Sequence, residues 1–297
     1  MRIAITGATG FLGTPLQQQL RSAGHEVRTI GRARAGGRGP DVTWDPAAGT
    51  IDAPALTGVD AVIHLAGASI AQRWTAAARR EIRDSRVQGT GLIARTLAAM
   101  SPAPRVLVSM SGMGIYGDRG DTPVDESTAP GSGFLADVAT AWEAAADPAR
   151  AAGIRVVHPR LGVVLHRAGG ALARLVPIFA LGGGGRIGSG RQWMPWISRP
   201  DALAALAFLA TASDLAGPVN LVAPEASTNA DFTRALATAL HRPALFTVPA
   251  FAVKLAFGEM GVETVLGGQR ARPQRLLEAG FAFRHPTLAD ALRDALA

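Results

Sequence analysis

Apolar and polar positions fall into two alternating periods from the first residues onward. Arg2–Thr6 is a short apolar run that predicts a buried strand, Phe11–Ala23 has helical spacing, and Glu26–Ile30 predicts a second strand. Gly31–Pro40 reads as a loop rich in Gly and Arg. Asp60–Leu65 (Asp-Ala-Val-Ile-His-Leu) ends at Ala66-Gly67 and predicts another buried strand. Arg73–Met100 has helical composition, and Arg105–Ser109 and Ile154–His158 predict strands flanking a helix over Gly133–Ala152. This alternation predicts an α/β fold, a Rossmann-like doubly wound parallel sheet with helices on both faces. Right-handed crossovers bring the strand C-termini to one edge, where ligands collect. After about residue 165 the pattern changes: the glycine run Gly182–Gly185 precedes helices expected at Asp201–Ala212, Asn229–Leu240, Val248–Phe257 and Thr287–Leu296. This part reads as a smaller, mostly helical C-terminal lobe. The expected division is 1–165 for the Rossmann-like domain and 166–297 for a substrate-side lobe interleaved with it.

Composition narrows the chemistry. The absence of Cys excludes disulfides, Cys-ligated zinc, iron–sulfur clusters and a thiolate nucleophile. Lys+Arg 30 against Asp+Glu 23 gives a formal +7. Lys254 is the only lysine, so the pI of about 11.2 reflects arginines that do not titrate rather than a dense positive field. No helical face alternates basic and aromatic residues and no long basic block marks a tail, so a nucleic-acid partner is not expected. The longest apolar stretches, such as Ala202–Ala210, fall short of the ~18 residues that span a bilayer. The opening run is too short for a signal peptide. A cytoplasmic protein with a small-molecule substrate and no membrane partner is expected, its oligomeric state unread.

The most specific motif is Gly7-Ala8-Thr9-Gly10-Phe11-Leu12-Gly13, a G-x-x-G-x-x-G spacing between a strand and a helix. In such a turn the first glycine makes the tight bend, the second lets backbone amides approach a pyrophosphate, and the third permits close helix–strand packing. The helix N-terminus then faces the anion. An NAD site places a carboxylate about 20 residues further on, for the ribose 2′-hydroxyl. Here the second strand ends Thr29-Ile30-Gly31-Arg32-Ala33-Arg34, without Asp or Glu. Arg32 stands where a 2′-phosphate would lie, which favours NADP. Up to Pro40, Arg2, Arg21, Arg28, Arg32, Arg34 and Arg38 oppose Glu26 alone, a local 6 − 1 = +5.

Gly7–Gly13, His64-Leu65-Ala66-Gly67 and Ser111…Ile115-Tyr116-Gly117 resemble the extended short-chain dehydrogenase/reductases, in their sugar-epimerase branch. More narrowly, Arg73-Trp74…Ser85-Arg86, Trp142-Glu143-Ala144-Ala145, Gly188 to Ile197, Gly268-Gln269-Arg270 and Leu276 to Phe281 resemble atypical epimerase-family proteins with a C-terminal domain of unknown function. The resemblance covers essentially the whole chain. It implies pyrophosphate contacts from Gly10, Phe11 and Leu12, with Arg32 on the 2′-phosphate. It places Leu65, Ala66 and Gly67 beside the adenosine ribose and pyrophosphate, and adds Glu81, Arg86 and Val164 as cofactor contacts. Glu81 with Arg86 also reads as a surface charge pattern.

That family's wider relatives use a Tyr-x-x-x-Lys pair, in which the lysine lowers the tyrosine pKa for proton transfer. Tyr116 and Lys254 are the only tyrosine and lysine here, 254 − 116 = 138 positions apart, so the dyad is absent. Anchoring on Trp142-Glu143 puts Leu135 and Ala139 in its places. Ser111 is expected either to orient a substrate carbonyl or to cap backbone groups. Tyr116 resembles a structural tyrosine of the family and is also a candidate acid. Asp118, Arg119, Asp121 and Glu126 share its loop, where a buried carboxylate could serve as acid/base. Trp196 is assigned to the core, Trp193 to a pocket wall, and His64 to packing. Trp44-Asp45 is placed beside the adenine. His158 and His166 lack a carboxylate at metal-ligand spacing, so no metal is expected. The expected function is NADP-dependent hydride transfer on a small polar substrate. The competing reading is a catalytically silent NADP-binding sensor.

Overall fold

The computed structural model describes residues 1–33 and 39–297; Arg34 and Arg38 of the expected basic loop lie outside them. The sheet is built on strands β1 (Arg2–Thr6), β2 (Glu26–Gly31), β3 (Val42–Asp45), β4 (Ala61–His64), β5 (Val106–Ser109), β6 (Arg155–Leu161) and β7 (Gly217–Leu221). They run parallel in the order β3-β2-β1-β4-β5-β6-β7. Thr50–Ile51 adds an antiparallel edge to β3, and Ser111–Gly112 extends β6 in parallel at Arg160 and Leu161. Strand order reverses between β1 and β4, which opens a crevice beyond their C-terminal ends.

The period-2 alternation of β1 distributes the core. Ile3 and Ile5 pack with Leu16 and Leu20 of helix α1 (Gly13–Ser22) on one face. Ala4 faces the other cluster, with Leu92 and Leu97 of α2 (Ala76–Ala98). Each such fully buried leucine contributes about 1.5–3 kcal/mol. Thr75 starts α2 later than its composition suggests, because its extended backbone lets Oγ1 accept from the Ala78 amide at 3.2 Å. The single helix expected over Gly133–Ala152 is two helices, α3 (Phe134–Ala144) and α4 (Asp147–Ala151). Pro148 has no N–H for the Ala144 carbonyl, and its ring would strike that group in a continuous helix.

The later lobe contains α5 (Gly170–Ala180), α6 (Arg199–Thr211), α7 (Asn229–Ala239), α8 (Ala250–Phe257) and a terminal helix, Leu288–Leu296. Of these, α6 packs with α1 against the sheet, burying Leu203, Leu206 and Leu209 in the same cluster as Ile3 and Ile5. Strand β7 also comes from this half of the sequence, so sheet and lobe are interleaved. The lobe is less purely helical than expected, with short strand pairs Val163–Leu165/Trp196–Ser198, Gly185–Ile187/Phe246–Val248 and Trp193–Met194/Ser227–Thr228.

Candidate functional site

The glycine turn sits at the crevice mouth, and its spacing is required by contact. Gly7 has φ +65°, and a Cβ there would meet the Ala66 amide nitrogen at 3.1 Å. A Cβ on Gly13 would lie 2.1 Å from the Gly7 carbonyl oxygen. Thr9 and Gly10 are exposed, and a Gly10 Cβ would meet only the Gly7 oxygen, at 3.1 Å. Gln17 holds the turn from behind, its Nε2 donating to the Ala8 carbonyl at 2.6 Å. The amides of Phe11 and Leu12 have no protein acceptor among the described residues. The turn therefore offers free donors at a helix start, with no side chain in front of Gly10. Phe11 is gripped from the later lobe: Gly169 leaves it room, since a Cβ there would sit 2.4 Å from the ring. Arg199 lies over the ring at 5.6 Å and donates to His166 Nε2 at 2.6 Å. Val164, buried, belongs to the same cluster against which Phe11 and Leu12 pack.

A hydrogen-bond relay that sequence reasoning missed shapes the neighbouring edge. The Thr6 hydroxyl accepts from the Leu65 and Ala66 amides at 3.0 and 3.1 Å. Its own proton therefore goes to His64 Nδ1, 2.7 Å away, which makes His64 the Nε2–H tautomer. Burial lowers the His64 pKa to about 4, so the ring is neutral. The expected packing role for His64 fits this, with the added effect of fixing Leu65 and Ala66. Trp44 is buried, edge-on to His64 at 5.7 Å and against Gly89, and with Asp45 it also lines a surface pocket that includes Arg32.

Two cations flank this edge. Arg32 is exposed at the end of β2 and makes no ion pair among the described residues. Arg2 and Arg28 are instead engaged by Glu26 at 3.0 and 3.1 Å, which removes them from the expected basic field. Arg86 lies with its guanidinium against Gly67, where a Cβ would meet it at 3.3 Å, and over the Trp142 ring at 5.0 Å. Among the described residues its guanidinium donates to the Ile82 carbonyl at 3.0 Å, and burial lowers its pKa to about 10. A partly buried guanidinium that meets no carboxylate among the described residues is costly unless an anion completes it. Glu81 is exposed, and among the described residues it makes no ion pair with Arg86.

Helix α3 carries Leu135 and Ala139 at the dyad positions, and neither can exchange a proton. One turn further on, Glu143 organises the polar groups here. It forms a bidentate pair with Arg160 of β6, at 2.8 and 2.9 Å, and accepts the Ser111 hydroxyl proton at 2.7 Å. Burial pushes the Glu143 carboxyl up, but hydrogen bonding and charge from Arg160 outweigh it and leave it lowered. Ser111 thus donates inward; it does not cap backbone groups, and its proton is committed away from any substrate carbonyl. Tyr116 must be corrected as a candidate acid. It is 0% exposed, donates to Asn220 Oδ1 at 2.8 Å and accepts from Arg160 at 2.8 Å. Burial raises its pKa despite Arg160. Both bonds consume the phenol in the core.

The loop carboxylates are structural. Buried Glu126 accepts from the Asn220 and Arg275 amides, and burial raises its pKa. Asp121 accepts from the Trp193 indole at 2.8 Å, and Asp118 from the Gly268 amide at 3.3 Å. Trp193 is half-buried under Arg270, whereas Trp196 is core, as expected. His158 lies in β6 beside Arg150, and His166 beside Arg199. The inward Arg160 had a partial signal in the sequence: a lone arginine within Val156 to Leu165 needs a counter-charge, and Glu143 and Asp147 are the helical carboxylates that shortly precede it.

A profile of the NAD dependent epimerase/dehydratase family matches residues 3–222, and the Domain of unknown function (DUF1731) matches residues 248–295. Epimerase family protein Mb2239 of Mycobacterium bovis is 45% identical over 291 residues, covering 98% of this chain and 96% of the relative. The crystal structure of human epimerase family protein SDR39U1 (isoform2) with NADPH superposes with a TM-score of 0.89, at 35% identity over 99% of each chain. A nucleoside-diphosphate sugar epimerase from Corynebacterium glutamicum gives 0.83 at 31% identity, covering all of this chain (100%) and 58% of the longer one. With the glycine turn, the reversed strand order and the match along most of its length, this chain belongs to the NAD dependent epimerase/dehydratase family.

Proposed function

We propose that the chain binds NADPH and transfers hydride to or from a small polar substrate without the usual tyrosine–lysine pair. The observation that carries this reading is the turn at Gly7–Gly13, where the Phe11 and Leu12 amides have no protein acceptor among the described residues and Gly10 leaves the approach clear. The NADPH in the human relative's crystal structure supports the choice of cofactor. Arg32 would take the 2′-phosphate, the amides of Phe11 and Leu12 the diphosphate, and Leu65, Ala66 and Gly67 the ribose edge. Arg86 would supply a partly buried positive charge beside Gly67, with Glu81 and Val164 as outer contacts. The nicotinamide supplies a hydride donor or acceptor at C4.

The chain's own groups do the rest. Ser111, whose hydroxyl donates to the Glu143 carboxylate, keeps oxygen lone pairs that would accept from a substrate hydroxyl. Open space at Gly112 adjoins it. Leu135 offers an apolar wall where an acid would stand, so the substrate proton exchanges with water. Loss of a positioned acid costs about 10²–10⁴-fold in rate, which makes a slow reaction the expectation. Leu135 and Ala139 favour a second reading, a catalytically silent NADPH-binding sensor. NADPH deuterated at C4, incubated with a panel of sugars, ketones and quinones, separates them. Label in a product supports hydride transfer, and its absence despite tight binding supports the sensor. Arg32→Ala should weaken NADPH about tenfold to a hundredfold with little effect on NADH; equal loss for both nucleotides would remove the assignment of Arg32.

A further inference from the structure

The later lobe turns a run of large apolar side chains into solvent. Strand Phe246–Val248 pairs in parallel with Gly185–Ile187, and Phe246 is 60% exposed beside Leu245 at 85%. Helix α8 follows directly, with Phe251 70% and Leu255 78% exposed. These two are one turn apart on one face, with Lys254 between them. At the other margin, α5 ends on exposed Leu181, and Arg242 ties the two segments by donating to the Ala180 carbonyl at 3.0 Å. The exposed apolar side chains thus fall in segments joined by strand pairing, chain continuity and the Arg242 bond, and clustered exposed apolar residues mark interaction sites.

Its charge is one-sided. No Asp or Glu occurs in 171–200 or in 232–258. Arg174, Arg186, Arg242 and Lys254 lie in or beside the patch, and none of them makes an ion pair among the described residues. The nearest carboxylates are occupied, Glu259 by Arg79 and Asp231 by Thr228 and Arg234. Aromatic and aliphatic side chains rimmed by unpaired cations complement an anionic lipid surface, with apolar groups entering the acyl boundary and cations at the headgroups. A second copy of the chain fits poorly, because self-association would bring the same cations together.

We propose that this face of the lobe seats on an anionic lipid surface, with α8 lying in the plane of the interface. Lying on a bilayer is distinct from spanning one, and among the described residues no helix is long and apolar enough to cross a membrane. The test is co-sedimentation of the full chain with vesicles of phosphatidylcholine and phosphatidylglycerol in equal parts, against phosphatidylcholine alone. The anionic vesicles should bind at least about tenfold more tightly, less so as salt rises. Phe251→Asp with Leu255→Asp should abolish the association, and Lys254→Glu should weaken it severalfold. All three side chains are exposed, so the melting temperature should hold; if the double variant unfolds, Lys254→Glu and the salt dependence still decide. Equal or absent binding to the two vesicle types overturns the proposal. So does a stable dimer in light scattering that Phe251→Asp dissociates, which would make the face a subunit contact.

Discussion

His64 is neutral in the folded chain and titrates near 6.5 when exposed, since burial brings its folded pKa to about 4. Between those values the unfolded state binds the extra proton, so stability is present above about pH 6.5 and is lost as pH falls toward 4. The shift corresponds to roughly 3 kcal/mol. Melting temperature should therefore fall between about pH 7.5 and pH 5, and His64→Gln should flatten that slope; an unchanged slope would mean that the ring is not held neutral. Thr6→Val removes the oxygen that holds Leu65 and Ala66, leaving two part-buried amides and the buried His64 Nδ1 without that partner. It should cost about 1–3 kcal/mol in urea unfolding and should weaken NADPH as well. Equal affinity in that variant would detach the Thr6–His64 pair from the site.

The pairing of α3 with β6 is the element-scale counterpart. Arg160→Met would strand the Glu143 carboxylate among buried groups, at a cost of about 3–5 kcal/mol. Adding Glu143→Gln should recover part of that loss, and strict additivity in a double-mutant cycle would contradict the pairing. This bridge also marks where the sequence becomes hard to read. The glycine turn was legible because its strand, loop and helix are contiguous, so spacing alone exposes the geometry. Glu143, Arg160 and the Ser111–Tyr116 stretch come from three separate segments, and their meeting depends on sheet register. Strand β7, Gly-Pro-Val-Asn-Leu, escaped notice because it is short and carries Pro218. As the outermost strand it can tolerate a missing donor. The long helix over Gly133–Ala152 was over-read from composition, with Pro148 the residue that breaks it.

At the scale of the molecule, the two halves of the sequence are fastened through α6. Asp201, 1% exposed at the start of that helix, accepts from the Arg284 and His285 amides at 2.7 and 3.0 Å. These bonds anchor the segment leading into the terminal helix, which buries Leu288, Ala291 and Leu292 against α5 and α7. Asp201→Asn presents a donor where two amides need an acceptor, and should cost roughly 1–3 kcal/mol. Amide exchange should then accelerate over residues 284–296 before it does in β1. Uniform acceleration across the chain would instead indicate one undivided cooperative unit. The lobe's fold was foreshadowed only in its helices, since its strand pairs are two or three residues long and carry little periodicity.

The central claim is that the Gly7–Gly13 turn receives a dinucleotide diphosphate. Isothermal titration calorimetry of NADPH into the wild-type chain and Gly10→Val tests it most directly. The account predicts saturable one-site heat for wild type and none for Gly10→Val, with melting temperatures that match to within about 1 kcal/mol of stability. Heat of binding that survives Gly10→Val unchanged, or no heat in wild type with either NADPH or NADH, would contradict it.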